Sequence, residues 1–151
     1  MVATIQQEST VVHPQTRFVT AEAIAQLLGV HPEQLTQIRC WAHVILVVGE
    51  GISRFVSYAD LPPIVEVEPP TTKDFLAWRK RWRKIGTYAA PQFWVEFYTQ
   101  KFQQAGSLTQ LHKWGELASQ INFGFNLASV QLLQSIYEEL TQQYSWQTPS
   151  T

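Results

Sequence analysis

Apolar positions change their spacing twice within the first sixty residues. After Thr20, a good helix N-cap, Ile24, Leu27 and Leu28 recur at helical intervals, and Gly29 suits a left-handed C-cap, so residues 21 to 28 read as a short helix. Pro32 fits the first turn of a second helix over residues 32 to 42, with Leu35, Ile38 and Ala42 turned inward and Glu33, Thr36, Gln37 and Cys40 outward. The pattern then becomes β-like. HVILVV (43 to 48) and ISRFVSY (52 to 58), joined by Gly49-Glu50-Gly51, predict a hairpin, and Ser57 with the paired prolines of SYADLPP closes the unit. Upstream, residues 1 to 17 are polar and rich in Thr and Gln and read as a flexible arm.

Downstream the helical period returns. PPIVEVEPPTT (62 to 72) is a proline-flanked connector holding one candidate strand, IVEVE. A basic amphipathic helix is predicted over 73 to 86, a second helix over 91 to 106 between Pro91 and Gly106, and a third to about residue 121 behind the capping pair Ser107 and Gln110. Asn126 caps a last helix over 127 to 144, whose Leu133, Ile136, Tyr137, Leu140 and Tyr144 share one face. The expected fold class is α+β and mostly α: a module at 18 to 61, a linker at 62 to 72, a C-terminal helical bundle at 73 to 146, and a tail at 147 to 151.

Composition narrows the class. In 151 residues, 45% are hydrophobic and 19 are aromatic, which is enough to build a packed core. The lone cysteine, Cys40, excludes an intramolecular disulfide and any multi-cysteine zinc site, and it fits a reducing, cytoplasmic setting. No run approaches a membrane span, and the N-terminal stretch lacks the basic and apolar regions of a signal peptide, so neither a membrane partner nor export is expected. His13, His31, His43 and His112 lack metal-ligand spacing, and no phosphate-loop, dinucleotide or hydrolase motif occurs; neither metal nor cofactor is expected. Cys40 and His43 have no orienting carboxylate beside them, and Glu138 and Glu139 point about 100° apart on their helix, so the expectation is a protein that is not an enzyme.

The segments AEAIAQLLGVHPEQLTQIRCW and GISRFVSYADL resemble the winged helix-turn-helix of the MerR and excisionase-like families. Ala25, Leu28, Gly29, Val30, Pro32, Leu35, Arg39 and Trp41 match the helical part, and Gly51, Arg54, Phe55, Ser57, Asp60 and Leu61 the wing. The resemblance covers residues 18 to 61 and implies double-stranded DNA as partner, with Thr36, Gln37 and Arg39 of the second helix near the bases and Arg54 of the wing near the backbone. Charge within the module is acidic, two cations against four acids, so phosphate attraction has to come from elsewhere.

LAWRKRWRKIG supplies it. From Lys73 to Lys84 there are six cations (Lys73, Arg79, Lys80, Arg81, Arg83, Lys84) and one acid, Asp74, in a chain whose net charge is −1. Phe75, Trp78, Trp82 and Ile85 fall within about 80° on a helical wheel, which turns the aromatics inward and presents the cations as a surface. Arg79, Lys80, Arg81, Arg83 and Lys84 are the expected clamp on a phosphate backbone. Two functions remain open: a DNA-binding regulatory or accessory protein, or a protein-protein adaptor that keeps the fold without DNA contact and meets an acidic partner. The aromatic C-terminal helices could also form a homodimer interface.

Overall fold

The computed structural model describes residues 3–147; the tail expected from residue 147 onward lies outside them from residue 148. Its architecture is α+β, with four strands and five α-helices among the described residues. The strands are β1 (Thr4–Gln7), β2 (Leu35–Cys40), β3 (Ile45–Gly49) and β4 (Ile52–Val56), in the spatial order β1-β2-β3-β4. β1 runs parallel to β2, and β2, β3 and β4 are antiparallel. The helices are α1 (Ala21–Leu28), α2 (Thr72–Lys84), α3 (Phe93–Gln104), α4 (Leu108–Gln120) and α5 (Leu127–Gln147).

The helix expected over 32 to 42 is not there. Pro32–Gln34 makes one 3-10 turn, after which β2 pairs with β1 on one side and β3 on the other. Thr36, Ile38, Cys40 and Trp41 are weak helix formers, and Thr, Ile and Trp favour a pleated surface, so strand pairing wins once neighbours exist on both edges. The misleading signal was the three-residue interval between Leu35 and Ile38. A register shift between Leu35 and Gln37 turns both Leu35 and Ile38 into the core, so a bulged strand imitates a helical face. Consequently Cys40, expected outward, is fully buried.

Other local readings hold. Thr20 accepts the Ala23 N–H, and Gly29 takes φ +69 at the C-cap of α1. β3 and β4 form the expected hairpin, with Gly51 at φ +67. Ser107 and Asn126 accept the N–H groups of Gln110 and Ser129 at the starts of α4 and α5. The segment read as an arm contributes β1 and a 3-10 helix, Pro14–Phe18, whose Phe18 is buried. IVEVE forms no strand.

On the sheet's inner face Ile38, Cys40, Ile45 and Val47 pack with Ala23, Ile24 and Ala25 of α1 into a core that continues through Trp78, Trp82 and Trp94 to the C-terminal helices. The connector is part of this packing. Pro62 and Pro63 are buried, the Tyr98 hydroxyl donates to the Pro63 carbonyl at 2.6 Å, and Arg17 donates to the carbonyls of Glu68 (2.9 Å) and Pro69 (3.1 Å).

Candidate functional site

α2 begins with a capping box: Thr71 accepts the Asp74 N–H, and Asp74 accepts the Thr71 N–H at 2.8 Å. Asp74 is buried and pairs with Arg17, which anchors the helix at this end. Trp78 and Trp82, one turn apart, both meet Trp94 of α3 edge-on, with ring centroids 5.7 and 5.6 Å away. With that face buried, Arg79, Lys80, Arg83 and Lys84 stand in solvent.

The cations do not all remain available. Arg81 donates two hydrogen bonds to the Asp60 carboxylate, at 2.9 and 3.1 Å, and this pairing raises its pKa. Asp60 also accepts the Trp94 indole N–H through its main-chain carbonyl, at 2.9 Å. Arg81 therefore fastens α2 to the Tyr58–Asp60 turn and to α3. Arg17, Arg39, Lys101 and Lys113 are paired with Asp74, Glu8, Glu22 and Glu66. Among the described residues, Lys73, Arg79, Lys80, Arg83 and Lys84 of α2 make no ion pair, and neither does Arg54 on β4.

The sheet residues expected to read DNA form a separate group. Thr36 donates its hydroxyl to the Val48 carbonyl at 3.0 Å, Gln37 is exposed on β2, and Arg39 is held by Glu8 at 2.7 Å, which raises its pKa. Arg54 is exposed on the edge strand β4. The outer face of the sheet carries Arg39, Leu46 and Phe55 in one row, with Phe55 58% exposed and its ring 5.4 Å from that of Trp41.

At the far end of α2 lies a cleft of about 270 Å³ lined by Arg79, Trp82, Arg83, Tyr88 and Phe123. Gly86, at φ +81, reverses the chain, and the Thr87 and Tyr88 N–H groups both return to the Trp82 carbonyl, at 3.1 and 3.2 Å. This turn holds Tyr88 73% exposed and in the left-handed region, φ +53. Opposite, the Asn122–Gly124 turn is docked on α2 because Gly124 has no side chain: a Cβ there would lie 2.6 Å from the Trp82 ring. Ala90 N–H donates to the Gly124 carbonyl at 2.7 Å and ties the two turns together. Phe123 is 43% exposed, and the Arg79 guanidinium lies over its ring at 4.5 Å.

Neither Tyr88 nor Phe123 is among the residues that the sequence pattern singles out. The available signal was a bulky aromatic two residues after a glycine, in a loop otherwise made of small residues.

Elsewhere, a groove of about 610 Å³ between α1 and α3 has four amide side chains, Gln26, Gln34, Gln100 and Gln104, in its lining, and its carboxylate, Glu22, is paired with Lys101. Burial pushes the Cys40 thiol pKa up, away from the thiolate form. No cluster of three potential metal ligands occurs among the described residues, and no helix there is long and apolar enough to cross a membrane. Compared with known proteins, the chain matches no family model, no curated protein and no solved structure.

Proposed function

We propose that this protein is a non-enzymatic nucleic-acid-binding protein whose contact surface is the exposed face of α2. The observation that carries the reading is the uneven use of charge. Of eleven cations in the chain, five are committed to carboxylates among the described residues, whereas five of the six on α2 face solvent with no such partner there. Long-range repulsion among five like charges on one helix opposes folding, and a polyanion relieves it while releasing condensed counterions. The contact set is Lys73, Arg79, Lys80, Arg83 and Lys84. Arg81 and Arg39 leave the set proposed from sequence, because their guanidinium groups already face Asp60 and Glu8.

A salt series of oligonucleotide binding tests this. Four to five phosphate contacts give log Kd against log salt a slope of roughly 3 to 5. The triple variant Lys80→Glu, Arg83→Glu, Lys84→Glu is expected to abolish binding with an unchanged circular dichroism spectrum. Absence of binding at low salt, or a triple variant that binds as the wild type does, refutes the reading.

A second reading, a protein-protein adaptor, is favoured by a different observation: Trp41, Leu46, Val48 and Phe55 line the outer sheet face, where Phe55 is largely exposed. Phe55→Glu separates the two readings, since it would abolish adaptor binding and leave oligonucleotide affinity intact.

A further inference from the structure

We infer that the cleft at the end of α2 receives an unpaired base, so that the preferred ligand is single-stranded rather than duplex nucleic acid. This rests on α2 being the polyanion contact, and it adds what the helix alone does not supply.

A row of cations on a helix recognises phosphates in any strand. The cleft combines two further things that a duplex cannot use, because its bases are stacked on one another. First, it presents aromatic surface: Tyr88 and Phe123 are both solvent-exposed and line the cleft together with Arg79 and Arg83. Rings in this setting stack on bases irrespective of sequence, and an arginine plane can stack alongside. Second, the arrangement is held in place at a conformational cost. Tyr88 occupies a backbone region that L-residues with bulky side chains avoid, and main-chain hydrogen bonds to Trp82 keep it there. A glycine would satisfy that turn without strain, so the sequence retains a large exposed ring where backbone geometry disfavours one.

The size of the cleft points the same way. The volume of about 270 Å³ suits one base with part of its sugar, and not a helix or a folded domain. Lys80 and Lys84 continue the positive surface along α2, giving the flanking phosphates a track away from the cleft.

The experiment compares three probes by fluorescence anisotropy at fixed low salt: a mixed-sequence single strand, the duplex of the same length, and inorganic polyphosphate of matched charge. The single strand is expected to bind at least about tenfold tighter than either of the others. Tyr88→Gly removes the ring while suiting φ +53, so the fold is expected to persist. It should cost the single strand about five- to a hundredfold in affinity and leave duplex binding unchanged. Phe123→Leu, which keeps an apolar side chain beside Trp82, should give a loss in the same direction. If duplex and single strand bind equally and Tyr88→Gly alters neither, α2 remains the contact and the base site is overturned. Polyphosphate binding as tight as the single strand overturns it as well. If none of the three probes binds, both the base site and the function proposed for α2 fall.

Discussion

At His13 the imidazole Nδ1 accepts the backbone N–H of Gln15 at 3.0 Å, and the ring lies flat on Tyr58, with centroids 4.0 Å apart and planes 8° from parallel. Protonation would turn Nδ1 into a donor and leave that N–H without its acceptor. Burial lowers the His13 pKa below 6.5, His43 adds to the lowering, and Asp74 opposes it. A depressed histidine pKa means that the unfolded chain takes up the proton first. The stabilising contribution is therefore complete above the unfolded value and is lost as pH falls through the folded one. His13→Asn keeps an acceptor at the N-cap and removes the titration. The melting temperature of the wild type is expected to fall more than that of His13→Asn between about pH 7.5 and pH 5. Parallel falls in the two proteins would remove His13 from the acid response.

Among the elements, β2 is held in register by a close approach that depends on the absence of a side chain. A Cβ on Gly49 would lie 2.2 Å from the Gln34 carbonyl oxygen and 3.1 Å from the Leu35 Cα, both backbone atoms, at the point where the strand pairing shifts. Gly29 also suits only glycine, but for its φ alone, since nothing lies within 4 Å of a Cβ there. Gly49→Ala is therefore expected to destabilise by about 3 kcal/mol, because strands must part. Gly29→Ala should cost about 1 kcal/mol. Urea denaturation measures both, and the reverse order would show that the β2–β3 contact yields easily. The same bulge explains what the sequence could and could not disclose. Caps at Thr20, Ser107 and Asn126 are local chemistry, readable from one residue and its neighbours, and so is the hairpin around Gly51. β2 depends on partners thirty residues upstream and ten downstream, and its bulge gives Leu35 and Ile38 a helical interval. For the site, the cations of α2 were legible because charge and aromatics segregate on a helical wheel. The cleft was not, because it joins α2 to turns at residues 86–90 and 122–124 that meet only in three dimensions.

Across the whole molecule, the two halves share their buried groups. Trp94 of α3 packs on Trp78 and Trp82 and donates to the carbonyl of Asp60, whose carboxylate holds Arg81. Tyr98 donates to Pro63, and Lys101 of α3 reaches Glu22 of α1 at 2.7 Å. If the N-terminal sheet opened alone, it would strip the Tyr58–Asp60 turn from α2 and leave Arg81 and the Trp94 indole without acceptors, so partial unfolding is costly. The chain is expected to unfold in one transition. Five of its six tryptophans, Trp78, Trp82, Trp94, Trp114 and Trp146, lie from α2 onward, so tryptophan fluorescence mainly reports the helical half. Ile38→Ala, at a fully buried sheet position, removes about 2 to 5 kcal/mol from the other half. In a coupled molecule that loss moves the fluorescence midpoint and the far-ultraviolet circular dichroism midpoint together, to the same lower denaturant concentration. A fluorescence midpoint that stays at the wild-type value while the dichroism shifts would mean that the helices stand without the sheet, and that α2 could present its cations from a smaller folding unit.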